Sequence, residues 1–379
     1  MRSVDALVKF ELTLAIAIAI ATLSGKSNLV SLCFYTSFFV MMVLVLKMSK
    51  YRSQCKTVAM ITISFAFVSV ITSAFSYGEF PTLSNMLFFL VFSALLMYMY
   101  VLQIMDIHYA IFNWIMKWGI VYSSCFPIAY YIFGIRTYQA DYLSMNYSNS
   151  NLLGMWVLQA AIFAFLNLLW QRGLVKKGIC AVLFLANIKL LLLSGTRNAL
   201  LALALGGVVI LLHLYQKRKY SKALLFGVAV LPIIFLAIYL SAFSILSQNK
   251  FLLQFAMEGK GIDSRYAMWT ATLFNLQGHF LTGSYFSLAG NTHNSHLVVL
   301  ASYGIIVLVL TIMFLYNVMC EANSKCETPF QKVCLTAFFV TIFMGIGEGA
   351  LFSGALGLYI PACVYLLLCR YNPEYECSE

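Results

Sequence analysis

The residues best equipped for chemistry are one imidazole and two guanidinium groups, each where polar sequence meets apolar sequence. His293 stands in Asn291-Thr292-His293-Asn294-Ser295-His296-Leu297, directly before a long apolar run. A histidine there can be neutral near pH 7 and exchange protons, which suits a general base or a hydrogen-bond donor to a reacting oxygen. Arg197 lies in Leu193-Ser194-Gly195-Thr196-Arg197-Asn198-Ala199, a turn with almost no loop between two apolar segments. Thr196 is placed to cap the following helix. The first N–H groups and positive dipole end of that helix, with the planar donor fork of Arg197, would cradle a phosphate or diphosphate. The other reading of Arg197 is an anchor to lipid headgroups. Arg265 follows Asp263 and Ser264, both good N-cap types, and precedes Trp269. A cation at a helix N-terminus opposes the dipole, and a bound anion would relieve the conflict. Pairing with Asp263 or Glu258, or stacking on Trp269, would relieve it differently.

Three more charges fall inside apolar runs: Glu11, Lys189 and Glu348, the last in Gly345-Ile346-Gly347-Glu348-Gly349. Ionisable groups within a bilayer are functional candidates, and each could equally form a buried ion pair that holds helices together. Lys189 precedes Arg197 by two helical turns, about 12 Å at ~1.5 Å per residue, so it could support an anion site from below. Glu348 could orient a basic side chain or an acceptor hydroxyl. No metal site is expected: His293 and His296 lie three apart, with only His279 and no ordered carboxylates to complete a set. The ten cysteines include no CxxC pair and lie in apolar runs or basic-side loops, so neither a disulfide framework nor a redox motif is expected, and no cofactor is implied.

The elements that must position these groups follow from composition. Of 379 residues 62% are apolar and only 10% charged, against roughly 45–50% and 25% in soluble domains. The apolar count corresponds to about twelve spans at about 20 residues each. The chain reads as a single integral membrane domain over 1–379, all-α, a polytopic bundle of about 12 transmembrane helices. Spans are expected near 10–25, 28–46, 57–76, 84–104, 112–134, 151–170, 178–194, 198–215, 223–245, 294–319, 333–354 and 356–370. The first is read as a retained helix, because Leu23-Ser24-Gly25-Lys26 offers no small-residue cleavage site.

A net charge of +11 in a soluble protein would suggest nucleic acid, but here the cations sort by loop. Lys47, Lys50, Arg52 and Lys56, then Arg172, Lys176 and Lys177, then Lys217, Arg218, Lys219 and Lys222 all fall on one side if the N-terminus is cytoplasmic, the positive-inside pattern. Both termini are then cytoplasmic and nucleic acid is not a partner. The largest outward segment, 246–293, is expected to be a long loop on the outer side, periplasmic if the membrane is a bacterial inner one. Tyr266, Trp269 and Leu273 recur within it at helical spacing, as in a short helix lying on the interface.

In combination these motifs resemble the Wzy-type O-antigen polysaccharide polymerases and O-antigen ligases. The resemblance rests on the Ser-Gly-Thr-Arg turn ending at Arg197, on Asp263-x-Arg265 with Trp269, and on His293-Asn294 with Gly304 completing His-x10-Gly. Tyr147-Ser148-Asn149-Ser150-Asn151-Leu152-Leu153-Gly154 also resembles the family's Asn-rich approach to a middle span, without its usual Pro. The similarity covers roughly 145–310 and not the first five spans.

It implies a multi-pass glycosyltransferase of the bacterial inner membrane, acting at the periplasmic face on a glycan carried by undecaprenyl diphosphate. The transfer would invert the anomeric configuration and need no metal. Arg197 and Arg265 would hold the diphosphate as charge grows on it, and His293 would take the acceptor proton or hydrogen-bond the reacting region. Thr196, Lys189, Asn294 and Glu348 would contact diphosphate or sugar. A further carrier-linked repeat is the acceptor in a polymerase, and lipid A–core in an O-antigen ligase of lipopolysaccharide biosynthesis. Ligases often carry a further Gly where this chain has Val307, so polymerase is the favoured reading. A non-enzymatic lipid-linked oligosaccharide flippase is the remaining alternative, and it should spread cations through both halves of its cavity. A chain-length regulator protein is a conceivable partner.

Overall fold

The computed structural model describes residues 2–48, 54–77, 83–105, 107–139, 141–213, 219–246, 262–284, 293–348, 352 and 356–371. These form thirteen helices and one two-stranded ladder. The helices are α1 (Arg2–Leu23), α2 (Ser27–Met48), α3 (Gln54–Tyr77), α4 (Leu83–Ile104), α5 (Tyr109–Tyr131), α6 (Ser150–Trp170), α7 (Leu174–Leu193), α8 (Arg197–His213), α9 (Lys222–Leu246), α10 (Ile262–Asn275), α11 (Ser295–Lys325), α12 (Pro329–Met344) and α13 (Leu356–Leu368). Strands β1 (Tyr138–Gln139) and β2 (Tyr142–Leu143) pair antiparallel between α5 and α6.

Helix is what an apolar chain must adopt in lipid, where each backbone N–H and C=O has to be satisfied within the segment. Seven helices are long and apolar enough to cross a membrane, and α8 and α12 are shorter apolar helices. Large apolar side chains stay exposed on the bundle's flanks, Phe75 at 84% and Phe39 at 68% among them. Such surface is tolerable against lipid and not against water. This is an all-α membrane bundle.

The helices begin where the sequence offers caps. Asn149 accepts from the Leu152 N–H at 2.7 Å to start α6, and Thr328 with Gln331 forms a capping box for α12. At the centre, α12 is buried from Gln331 through Met344, packed on α6, α8, α9, α11 and α13. Its 16 residues span about 24 Å, short of the ~30 Å hydrocarbon core. The expected span 333–354 therefore ends early. The helix stops at Met344, and residues 345–348, Gly345 and Gly347 among them, form a turn rather than helix.

The expected span from 294 is also not continuous. Within α11, Gly304 has φ +83° and ψ 179°, a conformation essentially reserved for glycine. A Cβ there would overlap the carbonyl oxygen of Leu281. The backbone groups freed by the break are taken up by the crossing segment: Ile305 N–H donates to Phe280 O at 3.0 Å, and Ser284 N–H donates to Ala301 O at 2.7 Å. From α3, Ser69 Oγ donates to Tyr303 O at 2.9 Å. The break thus divides α11 into a fully buried arm, 295–303, and a longer arm, 305–325.

The interfacial helix expected near 266–273 is α10. It starts at Ile262, so Asp263 and Ser264 fall inside its first turn rather than ahead of it. It is clamped to α9 by aromatic contacts: Trp269 meets Tyr239 at 5.0 Å edge to face, and Tyr266 stacks on Phe243 at 4.2 Å. Residues 247–261 and 285–292 of the long segment, Glu258 among them, lie outside the described residues.

A candidate anion and proton-transfer site at one end of the bundle

The turn that closes α12 carries the centre of the site. Glu348, only 4% exposed, accepts from Arg265 Nη2 at 2.9 Å through Oε1 and meets His293 Nδ1 at 2.8 Å through Oε2. Two of the three residues singled out for catalysis are thereby joined by one carboxylate. Glu348 was expected inside a span; it stands in the turn beyond α12, and the turn is what frees both its oxygens for side chains from other elements.

A carboxylate accepts, so His293 donates from Nδ1, and in the neutral ring it is Nε2 that carries the lone pair. The carboxylate fixes the tautomer, orients the ring and supports imidazolium if a proton arrives. His293 itself has φ +47°, a left-handed conformation uncommon outside glycine. The residues that follow it are tied down. Ser295 N–H donates to Gly345 O at 2.9 Å and Ser295 Oγ donates to Glu348 O at 3.1 Å, which lashes the start of α11 to the Glu348 turn.

Asn294 completes that lashing. Its Oδ1 caps α11, accepting from His296 N–H and Leu297 N–H at 3.0 and 2.9 Å, while Nδ2 donates to Ile346 O at 2.8 Å and Pro232 O at 3.1 Å. Pro232 lacks the N–H that would bond one turn back along α9. Next to that gap His296 Nε2 donates to Ala229 O at 2.8 Å. Asn294, 0% exposed, is thus spent on protein partners and holds the chain next to His293 in place.

Arg197 opens α8 at the same end. The next residue, Asn198, donates from Nδ2 to Met344 O, the last carbonyl of α12. Glycine at 347 permits a close approach: a Cβ there would lie 3.0 Å from both Arg265 Nη1 and Asn198 Oδ1. The α8 N-terminus and the Arg265 guanidinium are therefore neighbours. The Arg197 side chain is exposed and has no partner among the described residues, which leaves its donors open to an anion.

Thr196 is placed differently from expectation. Its hydroxyl donates to Ser150 O at 3.1 Å and shares a 2.9 Å hydrogen bond with Ser194 Oγ, so it ties the turn to α6 instead of capping α8. The Tyr142 ring lies against Gly195 on the other side of the turn. Lys189 sits on the exposed side of α7 with Nζ 5.4 Å from the Tyr131 ring centre, engaged there and not with Glu348. Arg265 pairs with Glu348, while the Trp269 ring packs on Tyr239; the suggested partners Asp263 and Glu258 have side chains outside those described.

Sequence reasoning missed Asn198 and Ser295, which hold the Glu348 turn in place. The available signal was a polar side chain on the apolar side of each cationic or imidazole position. Among the described residues no group of three or more metal-binding side chains gathers. No family model, no curated protein and no solved structure matches this chain.

Proposed function

We propose that the protein is a membrane glycosyltransferase that moves a glycan from undecaprenyl diphosphate onto a second carrier-linked repeat, as an O-antigen-type polysaccharide polymerase does. The observation that carries the reading is the single buried carboxylate that grips Arg265 and His293 together, beside the helix end that bears Arg197. Counting Arg197 and Arg265 against Glu348, the cluster keeps a net positive charge, which suits a diphosphate.

The acceptor hydroxyl oxygen attacks the anomeric carbon from the face opposite the diphosphate. The bond from that carbon to the diphosphate oxygen breaks, and its electron pair leaves with the lipid diphosphate. His293 Nε2 takes the hydroxyl proton, and Glu348 stabilises the imidazolium so formed. The arginines stabilise the charge growing on the diphosphate, which is a transition-state interaction. On this reading the chain sits in the bacterial inner membrane with both termini cytoplasmic and the site facing the periplasm, supported by the three basic clusters at the opposite helix ends.

The test is a surface-glycan ladder from cells carrying Arg197→Ala, Arg265→Ala or His293→Ala at normal protein abundance. The expected result is collapse from long chains to a single repeat on the lipid core. Bare core with accumulated carrier-linked polymer would instead make the protein a ligase. Unchanged ladders in all three variants would overturn the site.

A further inference from the structure

At the same end of the bundle a cleft of about 400 Å³ opens between the α1–α2 turn and residues 146–156, a volume within the usual range for small-molecule sites. A short run of contacts joins the cleft to the Arg197 turn. Asn146 Nδ2 donates to Leu23 O at 2.8 Å, fixing the approach to α6 against the end of α1. Ser148 and Leu152 line the cleft, and Ser150 between them accepts the Thr196 hydroxyl at the foot of Arg197.

The cleft changes character with depth. Lys26 stands exposed at its rim, with no ion-pair partner among the described residues. It also lies at the helix ends opposite the basic clusters, so the positive-inside bias does not account for it. Thr22 and Ser31 follow inward, and Ile18 and Phe34 form the floor. Each floor residue is eight positions from Lys26, about 12 Å along its helix at ~1.5 Å per residue. The Trp156 and Tyr147 rings, 5.9 Å apart, close the side. Burial pushes the Tyr147 hydroxyl well above the usual phenol range, so that wall stays neutral.

A cation at the rim, hydroxyls below it and hydrocarbon at the floor match an amphiphile lying along the membrane normal with an anionic head. We infer that this cleft binds a lipid phosphate, its head against Lys26 and its chain against Ile18 and Phe34. Resting on the glycosyltransferase reading, the lipid is the carrier of the acceptor glycan. A polymerase must hold two carrier-linked chains at once, and the Arg197 turn and Lys26 flank the same step of chain from Ser148 to Leu152. The bound carrier then presents its sugar towards His293 while the donor's diphosphate occupies the arginines.

Bulk anionic phospholipid offers the same head chemistry, so the experiment separates the two sources. The full chain in phosphatidylcholine nanodiscs is photolabelled with an undecaprenyl diphosphate analogue bearing a diazirine in its chain, and adducts are mapped by peptide mass spectrometry. Adducts on α1 and α2 are expected, reduced at least fivefold in Lys26→Glu and largely retained in Lys26→Arg. Unlabelled undecaprenyl diphosphate should displace them, and phosphatidylglycerol at the same concentration should not. Val30→Trp, which fills the cleft without touching the charge, should reduce the same adducts. Equal labelling of wild type and Lys26→Glu would overturn the site, and equal displacement by phosphatidylglycerol would overturn the carrier assignment. Arg265→Ala should leave these adducts unchanged. Failure of the ladder test with Lys26-dependent labelling intact would therefore remove the enzyme reading and support the lipid site alone.

Discussion

Glu11 and Glu348 are both carboxyls inside an apolar bundle, at 0% and 4% exposure, and their neighbours set them apart. Glu348 has an arginine on one oxygen and a histidine on the other, brought from α10 and from the start of α11. Glu11, in α1, accepts from Ser37 of α2 through Oε1, and its Oε2 has no hydrogen-bond partner among the described residues. Burial alone therefore does not distinguish a site. Partners do, because a buried charge persists only where opposite charge and hydrogen bonds compensate it, and those same partners are what a reaction can use.

The sharpest way to break this contrast is Glu348→Gln, which keeps the shape and removes the charge. Loss of a positioned base and of a charge-oriented arginine should lower glycan transfer by about 100-fold or more. Glu348→Asp should recover part of that loss at equal protein abundance. Wild-type transfer by Glu348→Gln would leave the two carboxyls equivalent.

A smaller effect is expected from Gly304→Ala, remote from the chemistry but on the helix whose start carries His293. Forcing an alanine into that backbone conformation should cost roughly 1–3 kcal/mol, before the overlap with Leu281 is counted. The loss is read as a lowered melting temperature in detergent, and an unshifted midpoint would mean that the break in α11 is not fixed by Gly304.

Glu11→Gln should do least. The amide can still accept from Ser37, so stability should move by less than about 1 kcal/mol and transfer should stay within twofold of wild type. A loss matching that of Glu348→Gln would reveal a second functional carboxyl and end the comparison.

Much of the architecture was legible beforehand. A helix overlaps each expected span, seven of them long and apolar enough to cross a membrane, and α6 and α9 start and end within a residue or so of the expected 151–170 and 223–245, because length and apolarity suffice to define a helix in lipid. Candidate residues were legible by type: His293, Arg197, Arg265 and Glu348 stood out as polar groups at apolar junctions. Their relations were not. Thr196 looked like a cap because the residue before a helix usually is one, yet a carbonyl of α6 lay closer to its hydroxyl. Lys189 looked like support for an anion site by its distance along α7, but which side of a helix meets neighbours depends on packing, and it faces Tyr131.

By itself, then, the sequence determined what is local: where the chain must be helical, and which side chains carry charge into the bundle. Each depends on a short window of residues and on the cost of exposing backbone polar groups to lipid. Only the tertiary structure decided that Glu348 lies beyond a helix that ends early and meets Arg265 and His293, 83 and 55 positions away. It alone placed Lys26 over a cleft beside the Arg197 turn. Contacts of that kind are selected by how whole helices pack, and no periodicity within a single helix encodes its neighbour.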